Sequence, residues 1–122
     1  MASVLVVDDN AINLDLMLYL LRALGHEAHG TADALAGLDA ARSRAFDIVL
    51  TDILMPGMDG HEFVRRLRAD TAVRLPVVAV TALAMPEDRA RIANAGFEGY
   101  IGKPIEPRTF VAQVESFLRD HV

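Results

Sequence analysis

Short segments suited to β-strands alternate along the chain with longer segments in which apolar residues follow a helical period. The strand-like segments are Val4 to Val7, Glu27 to Thr31, Asp47 to Thr51, Val77 to Thr81 and Tyr100 to Ile101. Apolar runs of this length, bounded by turn residues, are typical of strands buried in a sheet. The second segment is the least apolar, so we predict that it lies at an edge of the sheet.

Signals for a helix follow each strand-like segment. Asn10 and Asp59 are suited to helix N-cap positions, and Asp59 also has capping-box spacing to Glu62. In the second helix we predict an inner stripe of Leu35, Leu38 and Ala41. The predicted helices run from Asn10 to Gly25, from Thr31 or Asp33 to about Ser43, from Asp59 to about Ala69, from Pro86 to Gly96, and from Pro107 onward.

The strand–helix alternation predicts an α/β fold. Strands separated by helices favour a parallel sheet, and short links favour a doubly wound arrangement with helices on both faces. The chain has 122 residues, too few for two domains of ordinary size, and no Pro-, Gly- or Ser-rich linker divides it. We therefore predict one domain over residues 1–122, with no effector domain attached.

The composition narrows the classes of function. The chain is 52% hydrophobic and 24% charged with a formal net charge of −5, which is ordinary for a globular domain. Without a basic patch or an apolar run of membrane-spanning length, we expect neither direct nucleic-acid binding nor a membrane partner. The absence of cysteine excludes disulfides and thiolate chemistry and fits a cytoplasmic location.

Polar residues stand at the carboxyl ends of four predicted strands. They are Asp8 and Asp9 after the first strand, Asp52 at the end of the third, Thr81 at the end of the fourth and Lys103 after the fifth. In a parallel sheet these ends share one edge, where α/β folds bind their ligands. Lys103 is the only lysine among 12 basic residues, which suggests a site with room for a compact ammonium but not for a guanidinium.

Three carboxylates at one edge of a sheet repel one another. Each pair costs roughly 4 kcal/mol at about 4 Å and an effective dielectric of about 20. A hard dication offsets this repulsion, and Mg²⁺ binds through one or two carboxylates together with waters and phosphate. Lys103 adds a second cation and Thr81 a hydroxyl. These groups predict phosphoryl chemistry at Asp52, with Mg²⁺ as cofactor and Mn²⁺ as its alternative.

Four motifs occupy the predicted strand ends. They are Val6-Val7-Asp8-Asp9-Asn10, then Asp52 through Met55-Pro56-Gly57-Met58-Asp59-Gly60, then Ala79-Val80-Thr81-Ala82, then Tyr100-Ile101-Gly102-Lys103-Pro104. Each alone is weakly specific, but all four occur in order, and with them the chain resembles a bacterial two-component response-regulator receiver domain over essentially its full length. The resemblance implies a CheY-like, flavodoxin-like (βα)5 fold with strand order 2-1-3-4-5. The segment from Pro76 onward is most similar to single-domain receivers of the DivK type and to receivers of hybrid kinases.

The resemblance implies a phosphoacceptor site. Asp52 is expected to take a phosphoryl group from a phosphohistidine of a histidine kinase or a histidine phosphotransfer protein. Asp9 and Asp52 are expected to bind Mg²⁺ directly, Asp8 mainly through water, and Leu54 through its backbone carbonyl. Lys103 is expected to pair with the phosphoryl oxygens, and the Lys103–Pro104 peptide bond is expected to be cis.

The resemblance also implies a switch. Thr81 and the backbone N–H of Ala82 are expected to contact the phosphoryl group, and Tyr100 changes rotamer together with Thr81. A downstream protein would then bind differently at the face of the fourth helix, fifth strand and fifth helix. Such a domain is not an enzyme in the usual sense, since it catalyses only its own phosphorylation and slow dephosphorylation.

Two neighbours of the site bear on how long the phosphoryl group persists. In the family, the side chains two residues after the phosphoacceptor and two after the switch threonine influence hydrolysis. Here these residues are Leu54 and Leu83. Neither can form a hydrogen bond to an attacking water, so we predict slow dephosphorylation.

Two other functions are compatible with part of the pattern. A Mg²⁺-dependent phosphohydrolase would also use an aspartate nucleophile, but such enzymes usually place it in an acidic pair after the first strand and carry a substrate cap. A protein-binding module that no longer uses phosphate would share the fold. The complete set of three aspartates, one threonine and one lysine argues against that module.

Overall fold

The structure, a computed structural model, describes residues 1–70, 75–83 and 85–120. Within them, strands and helices alternate in the predicted order. The strands are β1 (Ser3–Val7), β2 (Glu27–Thr31), β3 (Ile48–Thr51), β4 (Val77–Thr81) and β5 (Gly99–Gly102). The helices are α1 (Ala11–Ala23), α2 (Ala34–Ser43), α3 (Gly60–Ala69), α4 (Pro86–Ala95) and α5 (Phe110–Asp120). None of the helices in the described ranges is long and apolar enough to cross a membrane.

The five strands form one parallel sheet in the order β2-β1-β3-β4-β5, which confirms the predicted fold class and strand order. The least apolar strand, β2, lies at an edge as predicted. The register places the last residues of the central strands side by side, with Val7 opposite Thr51 and Thr81 opposite Gly102. The strand order reverses between β1 and β3, the position at which such sheets open a ligand crevice.

Alternating side chains of the strands build two hydrophobic cores. Val4 and Val6 face α1 and α5, whereas Leu5 and Val7 face α2, α3 and α4. This period-2 alternation explains the nearly continuous apolar sequences of β1 and β4, because both faces of each strand are buried. The helices therefore cover both faces of the sheet, as the strand–helix alternation predicts.

The inner stripe predicted for α2 is wrong at Leu35. Its side chain is 61% exposed, whereas Ala34 and Leu38 are buried. The helix approaches the sheet at Gly37, where an added Cβ would lie 2.8 Å from a methyl group of Val7. Because the helix lies this close to the sheet at Gly37, Ala34 and the residues three and four positions after it face inward. Leu35 therefore lies on the outer face of the helix.

Side-chain caps define the starts of three helices. Asn10 accepts a hydrogen bond from the N–H of Asn13, and Asp59 accepts one from the N–H of Glu62, as predicted. Of the two candidates for the start of α2, Asp33 is the cap. At the end of α1, Gly25 lies just beyond the last turn with a φ of 89°, a conformation that favours glycine.

The start predicted for α5 is three residues too early. Pro107 lies in a turn, in which the N–H groups of Thr109 and Phe110 both donate to the carbonyl of Glu106. The regular helix begins at Phe110. Phe110 and Val114 are buried against the sheet and form the inward face of this helix.

Candidate functional site

Backbone hydrogen bonds of the sheet continue one residue past the strand ends and hold the predicted site residues in place. The N–H of Asp52 donates to the carbonyl of Val7 at 3.0 Å, and the N–H of Asp8 donates to the last carbonyl of β2 at 3.1 Å. The N–H of Lys103 donates to the carbonyl of Thr81 at 3.0 Å. Hydrogen bonds like those between the strands therefore hold the backbones of Asp8, Asp52 and Lys103.

Lys103 lies between two of the three aspartates. Its Nζ is 2.8 Å from Asp52 Oδ2 and 2.9 Å from Asp8 Oδ2. Its peptide bond to Pro104 is cis, as the resemblance implies. The loop after β5 thus carries the lysine back to the ends of β1 and β3, and one ammonium partly neutralises two carboxylates.

The second oxygens of these two carboxylates accept backbone hydrogen bonds. Asp52 Oδ1 accepts from the N–H of Ile53 at 2.7 Å, and Asp8 Oδ1 accepts from the N–H of Asn10 at 2.9 Å. Asp8 is fully buried, Asp52 is 9% exposed, and Asp9 is exposed. Burial of polar groups is costly unless they are paired, so these bonds and Lys103 account for the buried charges of Asp8 and Asp52.

Asp8, Asp9 and Asp52 form an acidic cluster in which one carboxylate oxygen from each residue lies within 4.8 Å of the others. At that separation each pair repels by about 3.5 kcal/mol for an effective dielectric of about 20. One lysine cannot compensate three negative charges. The donor set contains only oxygen, which is the set that Mg²⁺ prefers, so the residues fit a hard divalent cation.

The pKa of Lys103 reflects these neighbours. Burial acts to lower it, but the hydrogen bonds and negative charges of Asp52 and Asp8 outweigh burial and raise the pKa above its usual value. Lys103 therefore stays protonated throughout the physiological pH range. The site holds a permanent positive charge directly beside Asp52.

Thr81 and Tyr100 lie on the same face of the sheet. Tyr100 is the register partner of Ala79, and Thr81 follows Ala79 by two residues, so both side chains share the face of Ala79. Thr81 is buried, and its Oγ1 accepts a hydrogen bond from the N–H of Leu83 at 3.1 Å. Tyr100 is half-buried, and the guanidinium carbon of Arg89 lies 5.4 Å from the centre of its ring.

The remaining predicted residues lie in the loops after β3 and β4. Leu54 is 63% exposed, Ala82 is exposed, and Leu83 is half-buried against the core on the α4 side of the sheet. All of them border the same sheet edge as Asp52. The apolar side chains of Leu54 and Leu83 leave no polar group at these two positions.

Gly60 contributes to the site in a way that sequence reasoning missed. An added Cβ would lie 2.5 Å from the carbonyl oxygen of Asp52 and 2.8 Å from the Cα of Ile53. The N–H of Gly60 also donates to the carbonyl of Ile53 at 2.8 Å. Only glycine permits α3 to begin this close to the aspartate, and its place directly after the capping residue Asp59 was the available signal.

Comparison with known proteins agrees with this geometry. Residues 4–115 match the family described as the response regulator receiver domain. The chain is similar to the polar-differentiation response regulator DivK of Brucella anthropi, with 41% identity over 119 residues that cover 97% of both chains. DivK of Brucella ovis matches to the same extent.

Solved structures show the same architecture. The chemotaxis response regulator CheY4 of Vibrio cholerae has a TM-score of 0.90 and 30% identity, covering 96% of this chain and 98% of that one. The receiver domain of a sensor histidine kinase from Pseudomonas aeruginosa has a TM-score of 0.86 and 28% identity, covering 97% and 98%. That structure has a magnesium ion coordinated in its active-site cleft.

Replacement of Lys103 by methionine tests its role between the two aspartates. The change leaves Asp8 and Asp52 without their cation, and removing one partner of a buried ion pair in this way costs roughly 3–5 kcal/mol. Urea unfolding in metal-free buffer measures the free energy of unfolding. Arg65→Met is the matched control, because it removes an exposed partner of Glu62, and we expect it to cost less than about 1 kcal/mol. Equal losses in the two variants would contradict this account.

The raised pKa of Lys103 also predicts how the difference in free energy of unfolding between the native protein and Lys103→Met depends on pH. Because the pKa of Lys103 is raised on folding, its contribution to stability is full below the usual lysine value of 10.5 and is lost only as pH rises through the higher folded value. The stability difference between the native protein and Lys103→Met should therefore show no loss from lysine titration at about pH 7 to 9. A difference that already decays across that range as lysine loses its proton would show that the pKa is not raised.

Proposed function

Because the chain belongs to the response regulator receiver domain family, we propose that Asp52 is the residue that accepts a phosphoryl group from a phosphohistidine. The observation that carries this proposal is the position of Asp52, 2.8 Å from Lys103 and within 4.8 Å of two further carboxylates at the edge of the sheet. The phosphodonor would be a histidine kinase or a histidine phosphotransfer protein.

The transfer is a nucleophilic displacement at phosphorus. A carboxylate oxygen of Asp52 forms the new O–P bond, the P–N bond of the phosphohistidine breaks, and the electron pair of that bond remains on the imidazole nitrogen. The product is an acyl phosphate on Asp52 and a free histidine on the donor. Lys103 already contacts Asp52 Oδ2, so it can pair with a phosphoryl oxygen without a rearrangement of the loop.

The acidic cluster would hold the cation. Asp8, Asp9 and Asp52, with the backbone carbonyl of Leu54, would bind Mg²⁺ or alternatively Mn²⁺, and the bound ion would neutralise charge on the carboxylates and on the phosphoryl oxygens. The magnesium ion in the related Pseudomonas aeruginosa receiver supports this assignment. The N–H of Ala82 is proposed to donate to the phosphoryl group from the loop after β4.

The output would be a change in protein binding. We propose that Thr81 gives up its hydrogen bond with the N–H of Leu83 and turns its hydroxyl toward the phosphoryl group. Tyr100, on the same face of the sheet, would change rotamer together with Thr81. The phosphoryl group would then stabilise one of two pre-existing arrangements of α4, β5 and α5. A downstream protein would recognise that arrangement.

Incubation with the small phosphodonor acetyl phosphate and Mg²⁺ tests the phosphoacceptor. Intact-mass spectrometry should show one phosphoryl group on the native protein and none on Asp52→Asn. Asp47→Asn is the matched control, since this exposed aspartate lies just before the opposite end of β3, and it should be phosphorylated normally. No phosphorylation of the native protein would favour a phosphate-independent binding module. Steady multiple turnover of the donor would favour a phosphohydrolase.

Leu54→Asn tests the predicted lifetime of the acyl phosphate. The amide can position an attacking water that leucine cannot, so phosphate loss should accelerate by roughly two- to tenfold, the rate equivalent of one hydrogen bond of about 0.5–1.5 kcal/mol. Decay of the phosphorylated mass after removal of the donor measures this rate. Leu24→Asn, at a leucine of similar exposure at the end of α1, should decay at the native rate. An unchanged rate in Leu54→Asn would contradict the hypothesis that Leu54 prolongs the lifetime of the acyl phosphate.

A further inference from the structure

Arg89 of α4 covers the aromatic ring of Tyr100 in β5. Its guanidinium carbon lies 5.4 Å from the ring centre, within the separation of about 6 Å at which a cation is attracted to the face of an aromatic ring. Arg89 is exposed, whereas Tyr100 is half-buried against the hydrophobic core shared by α2, α3 and α4. The contact therefore links the exposed side of α4 to β5, which is an edge strand of the sheet.

Arg89 contacts an aromatic ring and differs in this from several arginines of α3. Arginines of α3 pair with carboxylates, as Arg65 does with Glu62 and Arg68 with Glu98. In the described part of the chain, no carboxylate forms an ion pair with Arg89. Within those residues, no ion pair therefore competes with the ring of Tyr100 for this guanidinium.

Tyr100 also lies close to Thr81 in the sheet, on the neighbouring strand. Both side chains lie on the α4 face of the sheet, and Thr81 is itself engaged, since its hydroxyl accepts the N–H of Leu83 in the loop that leads to α4. Two contacts from the α4 side, one to each residue, therefore stabilise the arrangement seen here. Both contacts would be given up if Thr81 turned toward the phosphoryl group and Tyr100 changed rotamer with it.

We propose that Arg89 is a positioning residue that holds Tyr100 in the resting arrangement and so sets how readily the domain switches. The inference rests on the proposed function, because it concerns the same conformational change. A contact made in only one of two arrangements raises the population of that arrangement. Its removal raises the apparent affinity of any ligand that binds the other arrangement by up to the same factor.

The size of this effect follows from the strength of an exposed cation–π contact. Loss of the charge should shift the equilibrium roughly two- to fivefold, which corresponds to about 0.5–1 kcal/mol at 1.4 kcal/mol per tenfold. Arg89→Met removes the charge and keeps an unbranched side chain. Arg89→Lys keeps a cation over the ring and should restore native behaviour.

Beryllofluoride with Mg²⁺, an analogue of the phosphoryl group, serves as the probe. The chain has two tyrosines and no tryptophan, so in a Tyr19→Phe background the intrinsic fluorescence comes from Tyr100 alone. Titration followed by this fluorescence gives an apparent affinity that reports the rearrangement of Tyr100. Arg91→Met, an exposed arginine of the same helix, controls for loss of positive charge from α4.

The expected result is beryllofluoride binding that is roughly two- to fivefold tighter in Arg89→Met, with Arg89→Lys and Arg91→Met unchanged. Unchanged or weaker binding in Arg89→Met would overturn the role of Arg89 and leave the proposed function standing. A native protein whose Tyr100 fluorescence does not respond to beryllofluoride would instead overturn the proposed switch, and the role of Arg89 with it.

Discussion

Electrostatic repulsion among three carboxylates is the constraint around which this domain is built. Asp8, Asp9 and Asp52 meet within 4.8 Å because the parallel register brings the ends of β1 and β3 together. A fold selected only for stability would not place them there. Lys103 and backbone N–H groups offset part of the repulsion. In the proposed function, the remaining repulsion would favour binding of a cation and, with it, of a phosphoryl group.

The rest of the fold fixes the positions of the residues in and around this cluster. Apolar strands buried on both faces make the sheet rigid, and sheet hydrogen bonds extend to the backbones of Asp8, Asp52 and Lys103. Gly60 lets α3 start against the carbonyl of Asp52. The part of the proposed mechanism that moves lies on the α4 side. There the N–H of Leu83 contacts Thr81 and Arg89 contacts Tyr100, and such contacts can be exchanged at low cost.

The convergence of Asp52 and Lys103 could be predicted from the sequence, because period-2 strands separated by helices leave few alternatives to a parallel sheet whose carboxyl ends align. Leu35 could not be placed, since the rotation of α2 depends on how closely Gly37 packs against Val7. The contact of Arg89 with Tyr100 could not be predicted from the sequence either. It joins residues in different elements through the orientation of two long side chains, which no local pattern encodes.

Thermal unfolding of the native protein and of Asp9→Asn, each with and without Mg²⁺, tests the central claim most directly. Asp9 is exposed, so its replacement removes charge with little loss of packing. Without metal, Asp9→Asn should have the higher Tm, because one source of repulsion is gone. Mg²⁺ should raise the Tm of the native protein and raise that of Asp9→Asn less. A lower Tm for Asp9→Asn without metal, or a native Tm that Mg²⁺ leaves unchanged, would contradict the account.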